Sequence, residues 1–123
     1  MGKIKKVLLL EDDEMITEIY QKRFEKAGCQ VLSADETKKA LEIIQKEEPD
    51  VALLDLLIAG GGGIEILKNL KLLNWKGKTK FIIFSNNQDI DKEREAKNLG
   101  ALAFLIKADY TPEKLFQELE SNL

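Results

Sequence analysis

A chain of 123 residues with 44% hydrophobic and 33% charged residues has the size and balance of one globular domain, and is too apolar for a disordered segment. With no histidine and a single cysteine, it excludes Ser-His-Asp and Cys-His catalysis, His-ligated zinc, a thiolate metal cage and a phosphohistidine of its own. A net charge of −3 without a basic stripe argues against direct nucleic-acid binding.

The opening MGKIKKVLLLEDD joins basic residues to a brief apolar run, but acids follow at once and no small-residue cleavage site does, so it reads as a first strand rather than a signal peptide. No run is long enough to span a membrane, and Cys29 has no partner; a cytoplasmic, disulfide-free protein is expected. Lys6 to Leu10 is continuously apolar after its lysine, as in a strand buried on both faces. Glu14 to Ala27 is a helix with Ile16, Ile19, Tyr20 and Phe24 on one face, stopped by Gly28. Gln30 to Ala34 is a second strand. Thr37 to Lys46 is a second helix with Ala40, Leu41 and Ile44 inward, closed ahead of Pro49.

Val51 to Leu54 forms a third buried strand that ends at Asp55. Gly60 to Gly63 is expected to be a flexible loop, because four glycines resist helix formation; no GK[ST] follows to make it a phosphate cradle. A third helix runs through Ile64, Leu67 and Leu70, and Lys80 to Phe84 is the fourth strand. Asp91 to Leu99 is a helix with a poor apolar face, ended by Gly100, and its Lys92, Arg94 and Lys97 read as a solvated face. Ala103 to Ile106 is the fifth strand. Thr111 then caps a last helix with Pro112 at its first position and Leu115, Phe116, Leu119 and Leu123 as its buried stripe. Strand–helix units in this rhythm predict an α/β fold, a parallel sheet with helices on both faces, forming one domain over residues 1–123.

In such sheets ligands bind beyond the carboxyl ends of the strands, near the reversal of strand order. The strand ends supply Glu11 and Asp12, Asp55, Ser85 and Lys107. Asp50 starts the third strand, roughly 16 Å from Asp55 at about 3.3 Å per residue, and belongs to the opposite rim. Carboxylates gathered about 5 Å apart repel by on the order of 3 kcal/mol per pair at an effective dielectric of about 20, so positive charge is required. Lys107 supplies one charge, and a hard divalent cation such as Mg2+ suits the remainder. That combination serves phosphoryl transfer, with Asp55 as a carboxylate nucleophile and Glu11 and Asp12 as metal ligands. Asp13 reads as a helix cap.

The motifs LLLEDDE, PDVALLD, FIIFS and FLIK, in this order along essentially the whole chain, resemble the receiver domain of two-component response regulators. The resemblance implies a flavodoxin-like doubly wound (βα)5 fold with strand order 2-1-3-4-5. It implies a phosphorylation-dependent signalling switch that catalyses only its own phosphorylation and dephosphorylation, with Asp55 phosphorylated by a sensor histidine kinase or phosphotransfer protein. Metal ligation by Glu11, Asp12, Asp55 and the Leu57 carbonyl is implied, as are a phosphoryl contact from Ser85, pairing of Lys107 with the phosphoryl group and a rotamer switch at Phe104. Readout by a downstream protein target is implied through the fourth helix, fifth strand and fifth helix, in a monomer or phosphorylation-dependent homodimer.

The chain departs from that family at Ala59, often proline, at Gly62, often polar, and at Asn86, usually smaller. Ala108 replaces a proline whose preceding bond is often cis; a cis bond before a non-proline residue costs about 3 kcal/mol, which leaves the geometry after Lys107 open. The rival reading is a degenerate receiver acting only as a protein-interaction module. A phosphatase with an aspartate nucleophile after the first strand, or a flavin module, fits the first-strand acids poorly.

Overall fold

The computed structural model describes residues 4–121. Leu123, expected in the last helix, lies outside them. In chain order the elements are β1 (Lys6–Leu10), α1 (Glu14–Lys26), β2 (Gln30–Ala34), α2 (Thr37–Glu47), β3 (Val51–Asp55), α3 (Gly63–Leu72), β4 (Lys80–Ser85), α4 (Ile90–Asn98), β5 (Ala103–Ile106), a 3-10 turn (Lys107–Asp109) and α5 (Pro112–Ser121). The strands form one parallel sheet in the order β2-β1-β3-β4-β5, the flavodoxin-like arrangement.

Alternate strand residues enter opposite cores, because side chains of a strand point to opposite faces. Val7, Leu9, Val51, Leu53, Ile82 and Phe84 pack under α1 and α5, against Tyr20, Phe24, Leu115, Phe116 and Leu119. Leu8, Leu10, Ala52, Leu54, Phe81 and Ile83 pack under α2, α3 and α4. Both faces are therefore covered, which explains why the strands read as unbroken apolar runs rather than alternating ones. At roughly 1.5–3 kcal/mol for each fully buried aliphatic side chain, this double layer is the main favourable term in the fold.

Local chemistry sets the boundaries. Asp13 caps α1 by accepting from the N–H groups of Met15 and Ile16, and Thr111 Oγ1 accepts from the Lys114 N–H at the start of α5. α2 runs one residue past its expected end to Glu47, then turns through Glu48 at φ 42° before buried Pro49. α4 starts at Ile90 behind its cap Asp89, and only Ala96 on it is buried, in keeping with its poor apolar face. On the far rim, Asp50 Oδ2 accepts from the N–H groups of Lys5 and Lys6 at 2.8 and 2.9 Å, tying β1 to β3.

Two expectations need correction. Ile19 is 49% exposed rather than inward, because Tyr20 and Phe24 already fill the space between α1 and the sheet. Gly63 is not loop but the first residue of α3, buried where a Cβ would stand 2.5 Å from Ile83 Cδ1 and 3.1 Å from Leu54 Cβ. Close approach of helix and sheet, not flexibility, requires glycine there. Gly62 before it has φ 79° and ψ −158°, a region essentially closed to other residues, and a Cβ would lie 2.2 Å from the Leu56 carbonyl oxygen. Gly62→Ala should therefore lower the unfolding free energy by about 2–4 kcal/mol, read as a lower urea midpoint at unchanged slope.

Candidate functional site

β1 and β3 are neighbours at the point where the chain, having stepped outward to β2, reverses direction. Their carboxyl ends deliver the acids. The Glu11 N–H donates to the Ala34 carbonyl at 3.0 Å, prolonging the β1–β2 ladder by one residue and fixing where its side chain leaves the sheet. Glu11 and Asp55 are each 6% exposed, whereas Asp12 is exposed. Glu11, Asp12 and Asp55 each present a carboxylate oxygen, all within 4.8 Å of one another. The third acid of the EDD run takes another role, since the Asp13 carboxylate is committed to its helix cap.

Lys107 holds this cluster together. Its Nζ donates to Glu11 Oε1 at 2.9 Å and to Asp55 Oδ2 at 3.0 Å. The remaining oxygens also have partners: Glu11 Oε2 accepts from the Asp13 N–H at 3.1 Å, and Asp55 Oδ1 from the Leu57 N–H at 3.2 Å. The ammonium lies 5.8 Å from the centroid of the Phe84 ring, which is itself flanked edge-on by Tyr20 and Tyr110. Tyr20 was legible in the sequence only as part of a buried helix face. Its hydroxyl pKa is raised, chiefly by burial, with nearby Lys107 opposing and Glu11 reinforcing the shift.

The turn Lys107–Asp109 follows β5 directly, and no peptide bond among the described residues is cis. The lysine therefore reaches the acids from a trans backbone, and Ala108 fits this site without the cost of a cis bond.

The other expected residues lie near but are less engaged. The Ser85 hydroxyl closes on its own loop, donating to the Asn87 carbonyl at 2.7 Å and accepting from the Asn87 N–H at 3.2 Å, rather than meeting Asp55. Leu57 exposes 76% of its surface and touches the site through its backbone N–H. Phe104 is buried in the core beside Ile83, Ala96 and Ala101. Asn86 is exposed. Cys29 sits elsewhere, buried with its Sγ donating to the Ile4 carbonyl, and its thiol pKa is raised mainly by burial, as befits an inert packing residue.

One ammonium among three carboxylates leaves the site net negative, and the acids offer it oxygen ligands. Such donors suit a hard divalent cation that keeps several of its waters. An acidic, lysine-bridged edge on a 2-1-3-4-5 sheet defines the class: a phosphoacceptor-type α/β signalling domain. The sequence profile of the response regulator receiver domain matches residues 7–120, and the chain belongs to that family. It is similar to sporulation initiation phosphotransferase F of Bacillus subtilis, 37% identical over 102 residues that cover 83% of this chain and 81% of that protein. It also matches the phosphate regulon transcriptional regulatory protein PhoB of Pseudomonas aeruginosa at 28% identity, over 97% of this chain but about half (52%) of that protein. Among solved structures, the chemotaxis response regulator CheY4 of Vibrio cholerae superposes with a TM-score of 0.85 at 26% identity, covering 98% of this chain and 100% of that one. Receiver domains are phosphoacceptor signalling domains rather than conventional enzymes, and they generally bind Mg2+ in an acidic pocket. No helix among the described residues is long and apolar enough to cross a membrane.

The lysine's ionisation carries a pH dependence. Burial disfavours the Lys107 charge and is the largest single influence, but hydrogen bonds to Glu11 and Asp55 and the charges of both together outweigh it, so the pKa is raised. A group whose folded pKa lies above its unfolded one stabilises the fold fully below the unfolded value, about 10.4 for lysine, and loses that contribution as pH climbs through the folded value. Lys107→Met should thus cost about 2 kcal/mol at neutral pH, and urea titrations should show the deficit shrinking only above the ordinary lysine range.

Proposed function

We propose that this chain is a phosphorylation switch in which Asp55 accepts a phosphoryl group from the phosphohistidine of a sensor histidine kinase or phosphotransfer protein. The observation that carries this reading is the Lys107 ammonium shared between Glu11 and Asp55 at the mouth of the sheet, with Asp12 alongside. An Asp55 carboxylate oxygen attacks phosphorus, an O–P bond forms as the N–P bond of the donor breaks, and the donor imidazole leaves with the electron pair and takes a proton. Both Asp55 oxygens are already oriented, one by Lys107 and one by the Leu57 N–H, so little reorganisation precedes attack.

The donor set fits Mg2+, which Glu11, Asp12 and Asp55 would hold, joined by the Leu57 carbonyl. When bound, the ion supplies positive charge for the oxygens of the transferring group. Lys107 supplies the second positive group. Phosphorylation adds negative charge where Lys107 is now divided between two acids, drawing it toward the phosphoryl group and giving Ser85 a reason to leave the Asn87 carbonyl. These two changes shift a pre-existing equilibrium read at α4, β5 and α5, with Phe104 following the shift, by a downstream protein target. The protein acts as a monomer or a phosphorylation-dependent homodimer, and residues 1–123 form one receiver domain. Retention of Asp55, Ser85 and Lys107 favours this reading over a degenerate interaction-only module.

Incubation with acetyl phosphate and Mg2+, followed by intact mass measurement, should show the gain of one phosphoryl group that is absent without the metal and absent in Asp55→Asn. An unmodified wild-type mass at saturating donor and metal would favour the interaction-only module. Lys107→Ala should remain folded and still be modified, while the amide NMR shifts that phosphorylation induces across α4 and α5 disappear. Unchanged shifts in that variant would overturn the coupling.

A further inference from the structure

The segment from Leu56 to Gly62 links the acceptor strand to α3, and one side chain outside it holds its middle. Thr37, the first residue of α2, is only 5% exposed. Its hydroxyl donates to the Ala59 carbonyl at 2.7 Å and accepts from the Gly62 N–H at 2.9 Å. The Thr37 N–H also donates to the Ala59 carbonyl, at 3.0 Å. α2 has no side-chain cap from Glu36, so this loop carbonyl satisfies one of the N–H groups that a helix start leaves without a partner. Gly60 passes directly beneath, where a Cβ would stand 2.9 Å from Thr37 Cβ.

The same segment touches Asp55 at both ends. The Leu57 N–H donates to Asp55 Oδ1 at 3.2 Å, and Gly62 lies so close that a Cβ there would stand 3.0 Å from the Asp55 carbonyl oxygen. A run of glycines at φ 91°, 115° and 79° has unusual conformational freedom to lose; the Gly61 N–H donates to the Ile58 carbonyl at 3.0 Å, and Thr37 supplies the side-chain hold.

We propose that Thr37 is a positioning residue for Asp55, acting through this segment; the proposal rests on the phosphoacceptor reading above. Without the hydroxyl, a buried N–H at Gly62 loses its acceptor, and the carbonyl of Ala59 loses one of two donors. The glycine segment then leaves its present course, and the Leu57 N–H no longer fixes the carboxylate. Thr37 touches neither the acceptor nor a donor, so its effect passes entirely through the backbone it holds.

Thr37→Val keeps the branched shape and removes the hydroxyl, whereas Thr37→Ser keeps the hydroxyl. Initial phosphorylation rates with acetyl phosphate should be measured across a Mg2+ titration, alongside amide hydrogen exchange. The valine variant should react roughly tenfold more slowly, need more Mg2+ for half-saturation, and lose protection at Gly62 and Leu57 while β1, β3 and β4 stay protected. The serine variant should behave like the wild type in every measure. A valine variant with wild-type rate and metal dependence overturns the proposal, as does equal loss in both variants with exchange rising throughout the sheet. If the wild type itself takes no phosphoryl group, the phosphoacceptor reading falls instead. Amide protection then decides the latch: selective loss in valine but not serine upholds its hold on the Asp55 segment, and unchanged protection removes it.

Discussion

Like charge gathered at one end of a hydrophobic sheet is the constraint around which this molecule is organised. Glu11, Asp12 and Asp55 bring carboxylate oxygens within 4.8 Å of one another, where each ionised pair repels by roughly 3 kcal/mol at an effective dielectric of about 20. The strands that carry them are adjacent because the sheet reverses its order there, and those strands are anchored by apolar layers on both faces. The core therefore holds in place an arrangement that its own charges oppose. Lys107 offsets part of the repulsion and leaves a residual negative charge, which favours a cation.

The same ammonium links distant parts of the chain. Lys107 leaves the end of β5, meets acids from β1 and β3, and lies over a ring from β4 that packs on α1 and the turn before α5. Ser85, by contrast, makes its hydroxyl's donated bond and one accepted bond within two residues of itself. In the proposed switch, one group is held by shared attraction and the other by a local turn. The Ser85 bonds are neutral and worth on the order of 1 kcal/mol each, while the Lys107 bonds join charged groups and are worth about 1.5–3 kcal/mol each.

How far the sequence could be read depended on the range of the interaction. Val51 to Asp55 was legible because a strand covered on both faces must be apolar throughout, so the one acid at its end stood out. Asp13 was legible as a cap because capping acts within three residues. Ile19 was misread, since helical periodicity gives a face but not how much of that face neighbouring Tyr20 and Phe24 already occupy. Gly63 was misread for a similar reason: its need for glycine comes from Ile83 and Leu54, one of them twenty residues away in sequence. Thr37 gave no signal beyond opening a helix, because the groups it binds lie 22 and 25 residues further along.

By itself, then, the sequence determined the alternation of strands and helices, the doubly covered sheet and the chemical identity of the groups at its rim. These follow from burial and from the two repeat periods of the backbone, which act locally. Only the tertiary structure decided that Lys107 divides itself between Glu11 and Asp55, that Ser85 turns to Asn87, and that Thr37 binds the glycine segment. Each is a matter of ångström distances between groups remote in the chain, set by how helices and strands pack and not by any residue's own preference.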